Sequence, residues 1–380
     1  MQFIDLATQQ TRIKEQIDAN IQTVLAHGRY IMGPEIAELE NRLAEYVNCR
    51  HAIGCASGTD ALLMALLALD VGPGDAVFTS PFTFIATAEV IQLIGATPVF
   101  VDIDPTTFNI DPAKLEEAIA ASKTHDTSLY PQPLNPKCII PVDLFGLLAD
   151  YERIEAIAKK YGLFVIEDAA QSFGAEYREK KACAFGHIAA TSFFPAKPLG
   201  CYGDGGMCFT GDAKLAEALR SIRVHGKGSH KYDNARIGVN GRLDTLQAAV
   251  LLAKFNIFPE EVELRQMAAA RYTELLSQCS TLTVPGIPEG YASVWAQYSI
   301  LTNGRKRDDF QKALKEDNIP TAIYYPKPLH LQTAFKGLGY KSGDFPISED
   351  ASERIFSIPM HPYLTEEDQT KIVNVINTLC

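Results

Sequence analysis

The chain has 380 residues, 47% hydrophobic and 21% charged, enough apolar material for a large core and two domains. It has no run of ~20 apolar residues and no charged-then-apolar leader, so neither a membrane span nor a secretion signal is supported, and a soluble cytoplasmic protein is expected. A net charge of −11 argues against a general nucleic-acid binder.

The first predicted element is an amphipathic helix from Thr8 to His27, with Ile13, Ile17, Ile21 and Val24 at helical spacing and Gly28 ending it. A turn at Arg29–Pro34 leads to a second helix carrying Ile36, Leu39, Leu43 and Tyr46. Strands and helices then alternate. Ala52–Ala56 is read as a strand and Asp60–Leu69 as a helix; Asp75–Thr79 as a strand and Ala86–Ile94 as a helix. Thr97–Asp102 and Ile139–Asp143 are further strands, with a helix over Pro112–Ala121 between them. Ser122–Lys137, with prolines at 131, 133 and 136, is read as an exposed connecting loop. The helix Tyr151–Tyr161 precedes the hydrophobic strand Phe164–Asp168. This rhythm predicts an α/β fold with a mainly parallel, doubly wound sheet.

His187–Phe194 and Met207–Thr210 are predicted as two more strands, followed by helices over Leu215–Val224 and Leu243–Phe255. Pro259 opens a helix through Glu261–Ser277. From Val294 the pattern changes to short elements, including a strand at Gln297–Leu301 and helices at Asp308–Glu316 and Glu366–Leu379. These signals place a large domain over residues 1–255 and a smaller α+β domain over 256–380. The eight cysteines include no C-x-x-C pair and are expected to be reduced, mostly buried thiols. H-E-x-x-H is missing, and the glycines between His225 and His230 disfavour a shared helical face, so no metal site is expected.

Two stretches carry chemistry. In Thr191–Gly206 a single lysine, Lys197, lies between Pro195 and Pro198 at a strand end, outside any regular helix. Desolvation there would leave a neutral amine able to form a Schiff base with an aldehyde cofactor. A lone lysine beside glycines is ordinarily a solvated loop residue. Phe164–Ser172 alters that balance, because its strand ends in carboxylates where open α/β sheets place ligands. Asp168 could pair there with the pyridine nitrogen of pyridoxal phosphate, or simply cap a helix.

The remaining candidates are weaker singly. Gly58 and Thr59 stand at a helix start suited to phosphate, where capping by Ser57 is an equal explanation. Ser192 could donate to the same phosphate, Phe84 could stack on a flat ring, and Gln171 could meet a ring hydroxyl. Asn240 and Arg242 lie in a polar glycine-bearing loop, and Tyr325 and His330 in a polar-aromatic cluster; surface loops are the default for both. G-x-G-x-x-G and G-x-x-x-x-G-K-[ST] are both missing, so dinucleotide binding and triphosphate hydrolysis lack support.

Together, Ser57–Leu62, Val165–Gln171, Ser192–Gly206 and Asn240–Asp244 resemble the DegT-type nucleotide-sugar aminotransferases, which have the aspartate-aminotransferase (PLP type I) fold. The likeness runs from Phe3–Leu6 to Met360–Leu364. It implies that Lys197 forms the Schiff base, Asp168 meets the pyridine nitrogen, Gln171 lies near the ring hydroxyl and Phe84 against the ring. It places Gly58, Thr59 and Ser192 at the phosphate, with Asn240 reaching the phosphate of a neighbouring subunit in a homodimer with shared active sites. Arg242, Tyr325 and His330 would lie near the sugar nucleotide, and Arg29 and Arg242 are candidate partners for anionic sugar groups.

Within the family, the Ser192–Gly206 run is most similar to enzymes that aminate UDP-2-acetamido-2-deoxy-3-oxo-glucuronic acid with glutamate for surface polysaccharide (lipopolysaccharide O-antigen). The alternatives are a different UDP- or dTDP-keto sugar, a sugar dehydratase, in which histidine replaces the lysine, and a non-catalytic regulatory relative.

Overall fold

The computed structural model describes residues 1–123, 134–230 and 232–380. Among the described residues, nine strands precede residue 211: β1 (His51–Cys55), β2 (Asp75–Thr79), β3 (Thr97–Phe100), β4 (Asn135–Ile140), β5 (Phe164–Asp168), β6 (Glu176–Tyr177), β7 (Lys180–Lys181), β8 (Ile188–Ser192) and β9 (Gly206–Thr210). Seven of them form one sheet in the order β1-β9-β8-β5-β4-β2-β3. The pairings of β2 with β3 and β4, of β4 with β5, and of β5 with β8 are parallel. Only β9 runs against its neighbours β1 and β8. A mainly parallel sheet needs both faces covered, and its strands accordingly read as nearly unbroken apolar runs.

One face packs Val77, Ile166 and Ile188 against the helix Gly58–Ala68. The other is covered in two places: Phe209 and Phe193 meet the helices Pro34–Tyr46 and Thr245–Phe255, and Phe78 and Val165 meet the helix Tyr151–Tyr161. This topology brings the carboxyl ends of β1, β2, β5 and β8 to one edge of the sheet, where ligands bind in open α/β folds.

Four later strands, β10 (Leu282–Thr283), β11 (Tyr291–Ala292), β12 (Tyr298–Thr302) and β13 (Ile355–Ile358), divide between two small sheets. The first has the order β10-β12-β13, and its core of Tyr298, Ile300, Phe356 and Ile372 packs on the long helix Phe258–Leu276. In the second, β11 returns to pair with β6 and β7.

Several expectations need correction. The opening helix is two helices, Leu6–Arg12 and Lys14–His27, because Ile13 (φ −122°) leaves helical geometry to bury its side chain with Ile17 and Val250. Of the loop read over Ser122–Lys137, residues 124–133 lie outside the described residues. Ser122 and Lys123 extend the preceding helix, and Asn135–Lys137 begin β4. Pro136 is tolerated there because the register shifts beside it, Ala76 facing Pro136 and Val77 facing Cys138. Cys279 and Cys380 are joined as a disulfide across 101 residues, so these two are not reduced thiols; six cysteines are free, five of them buried. Among the described residues, no helix is long and apolar enough to cross a membrane.

Candidate active site

The lysine loop is held by its own backbone. Beyond β8, Phe193 N donates to Gly205 O at 2.7 Å, Cys201 N returns to Phe193 O at 2.8 Å, and Lys197 N closes a turn on Phe194 O at 2.9 Å. Gly200 permits that closure, since a Cβ there would lie 2.6 Å from the carbonyl oxygens of Phe194 and Pro195. Lys197 is partly buried as a whole residue. Its amine, however, has no hydrogen-bond partner among the described residues, and surrounding atoms pull it below the usual lysine range; Asp168 pulls the other way.

Asp168 ends β5 and is 3% exposed. Its Oδ2 accepts from Thr87 Oγ1 at 2.8 Å and its Oδ1 from Ala170 N at 3.2 Å. Burial raises its pKa, while Thr87, Ala170 and the Lys197 charge oppose the rise. A buried carboxylate and a desolvated amine therefore lie close enough to feel each other's charge. Gln171, one turn on, is fixed at both ends: Oε1 accepts from Phe145 N at 2.7 Å and Nε2 donates to Tyr325 OH at 3.1 Å. Tyr325 thus reaches Gln171 from 154 residues away.

On the other side, Ser57 caps the helix Gly58–Ala68 by accepting from Asp60 N at 3.0 Å. The helix start is thus capped by Ser57, and its first amides, at Gly58 and Thr59, have no partner within the helix. Gly58 packs directly on Ser192: a Cβ at 58 would sit 2.6 Å from Ser192 Cβ. Phe84 is 56% exposed and pairs with no other ring among the described residues, leaving its face open. It precedes the helix Ala86–Leu93, whose Thr87 reaches Asp168.

Asn240 and Arg242 line a cavity of about 590 Å³ with Ser57, Asp60, Asp204 and Gln247. Asn240 is exposed, and the Arg242 Nε is buried without a partner. Arg29 is exposed two residues before Ile31, which lines the same cavity. His330 is placed otherwise. Its side chain is enclosed, with Nε2 3.1 Å from Glu349 Oε1 and the ring edge-on to Phe345, and burial lowers its pKa. It presents no open face to a substrate.

Thr87, 1% exposed, went unnoticed in the sequence, as did the role of the buried acid Asp143. The usable signal for Thr87 was one hydroxyl within the apolar run Ala86, Ala88, Val90 and Ile91.

The donor set suits pyridoxal phosphate. A desolvated amine for an aldehyde, a buried carboxylate for a pyridinium, an open aromatic face and a side-chain-free helix start beside a serine match its four parts. Comparison with known proteins agrees. The chain is 51% identical over 364 residues, 96% of each protein, to the UDP-2-acetamido-2-deoxy-3-oxo-D-glucuronate aminotransferase of Pseudomonas aeruginosa. A DegT DnrJ EryC1 StrS aminotransferase crystal structure from Brucella abortus superposes with a TM-score of 0.95 at 54% identity, covering 100% of this chain and 99% of that one. NtdA from Bacillus subtilis, solved with bound cofactor PMP, gives 0.87 at 30% identity over 99% and 83% of the two chains. Residues 11–377 match the DegT/DnrJ/EryC1/StrS aminotransferase family. The chain belongs to that family, a sugar aminotransferase whose cofactor is pyridoxal phosphate.

Proposed function

We propose that the enzyme moves an amino group from glutamate to the keto carbon of UDP-2-acetamido-2-deoxy-3-oxo-glucuronic acid, supplying an amino sugar for surface polysaccharide such as lipopolysaccharide O-antigen. The observation that carries this reading is the desolvated Lys197 amine within electrostatic reach of the buried Asp168 carboxylate. Similarity to the Pseudomonas enzyme along nearly the whole chain supports the substrate class.

When bound, pyridoxal phosphate supplies an aldehyde that accepts the donor's nitrogen and a ring that withdraws electrons from the carbon losing its proton. Lys197 would hold the cofactor's aldehyde, and its free amine would move a proton as general base and acid. Its depressed pKa leaves the neutral amine more abundant at working pH. Asp168 would face the ring nitrogen, where its carboxylate would favour the protonated ring. Gln171, fixed by Phe145 and Tyr325, orients the ring hydroxyl. Gly58, Thr59 and Ser192 receive the phosphate, and Phe84 covers the ring. Arg242 and Arg29 take anionic groups of the sugar nucleotide; Tyr325 contacts the substrate, and His330 supports that segment from behind through Glu349.

In this reading residues 1–255 form the cofactor domain and 256–380 the smaller one. The protein works in the cytoplasm as a homodimer in which Asn240 reaches the neighbouring subunit's phosphate. The test is a panel of UDP- and dTDP-linked keto sugars with glutamate, followed by product mass. Amination of the UDP-3-keto uronic acid in preference to neutral or dTDP sugars is expected. A deoxygenated product, or preference for a neutral sugar, would overturn the assignment.

A further inference from the structure

Asp168 is almost wholly enclosed, and a carboxylate in that position loses hydration that only hydrogen-bond donors can replace. The described residues supply two. One is the Ala170 amide, at 3.2 Å; the other is the Thr87 hydroxyl, at 2.8 Å. A hydroxyl has one proton and an ionised carboxylate can only accept, so the Thr87 proton is committed to Asp168. Thr83 Oγ1 lies 3.3 Å from Thr87 Oγ1, and with that proton committed, Thr83 must be the donor of this contact. The two threonines then form a chain of donors ending on the carboxylate.

Thr87 stands in the first turn of the helix Ala86–Leu93, whose amino end also favours a nearby anion. We infer that Thr87 is a positioning residue for amino transfer: its hydroxyl keeps the Asp168 carboxylate ionised and fixed for the cofactor's ring nitrogen. This rests on the aminotransferase reading above. The charged and titratable groups around Asp168 are Lys197 from the lysine loop, Tyr325 from the segment beyond β12, Tyr151 behind the sheet, Glu167 next to it in β5, and Asp143, whose amide donates to Asp168 O at 3.1 Å. Burial raises the pKa of both acids and so favours their neutral forms. Lys197 favours ionisation, whereas the tyrosines, while neutral, add no charge. Thr87 is therefore the one side-chain hydroxyl donor to this carboxylate among the described residues.

The test compares Thr87→Val, which keeps shape and removes the hydroxyl, with Thr87→Ser, which restores it, and Thr87→Ala as a second deletion should valine disturb packing. Three quantities are measured on each full-length protein: affinity for pyridoxal phosphate, the acid limb of the glutamate-dependent spectral change, and thermal stability. Removing the hydroxyl raises the Asp168 pKa. The Val and Ala variants should bind the cofactor roughly tenfold more weakly or worse and shift the acid limb upward by about one pH unit. Serine should stay within about threefold of wild type. A wild-type acid limb and affinity in a folded deletion variant, or a serine variant as impaired as the deletions, would overturn the inference. A wild-type enzyme showing no glutamate-dependent spectral change would overturn the functional reading instead.

Discussion

Gly58→Ala is the sharpest test of the proposed phosphate cradle. The new methyl would sit 2.6 Å from Ser192 Cβ and 3.2 Å from Ser192 Cα, whereas ordinary contacts begin near 3.4 Å. Neither atom can rotate away, because the backbone of β8 fixes both. The helix start must therefore lift off the strand. Overpacking of this kind costs about 1–3 kcal/mol, and alanine's better helix propensity returns at most ~1 kcal/mol, so from the middle of that range the net loss is about 1–2 kcal/mol. If that loss falls on the phosphate position, affinity for pyridoxal phosphate drops roughly 5- to 30-fold. The control is Gly72→Ala, where a Cβ meets nothing within 4 Å and stability should hold or rise by a few tenths of a kcal/mol. Cofactor titration by fluorescence and melting curves of both proteins decide it. A Gly58→Ala variant with wild-type cofactor affinity would refute the placement of the phosphate.

Two further predictions concern stability. Cys279→Ser should cost up to about 4–5 kcal/mol of stability for a loop of this length, read as a lower melting temperature under non-reducing conditions, and the difference should vanish in reductant. Equal melting of variant and wild type without reductant would contradict the disulfide. Burial pushes the Asp143 carboxyl up to about 7, so the folded state holds its proton more tightly than the unfolded state. Its contribution to stability is full below the unfolded pKa of about 4 and is lost as pH rises toward about 7. Asp143→Asn should flatten that part of the melting-temperature profile; an unchanged slope would mean Asp143 is ionised throughout.

Much of this architecture was legible because its signals are local. The strand Phe164–Asp168 is an apolar run ending in carboxylates, and Tyr151–Tyr161 repeats apolar residues at helical spacing; both have the predicted bounds. Prolines and glycines around Lys197 marked a constrained loop, and a constrained loop is what holds it. What escaped depends on distance in sequence. No periodicity discloses that Cys279 meets Cys380, that Gln171 meets Tyr325, or that Glu349 encloses His330. The break at Ile13 was invisible because both helices keep one apolar spacing across it. Pro136 pointed to a loop, and only the neighbouring strand's register shift explains its place in β4. Thr87 differs from its apolar neighbours by a hydroxyl whose target lies 81 residues away.

The claim on which the rest depends is that Lys197 carries the cofactor. Borohydride reduction of the holoenzyme followed by peptide mass analysis tests it directly. The account predicts a pyridoxyl adduct on the peptide containing Lys197 and its loss in Lys197→Ala. An adduct on another buried lysine, such as Lys254, whose amine burial lowers to about 8, would contradict it.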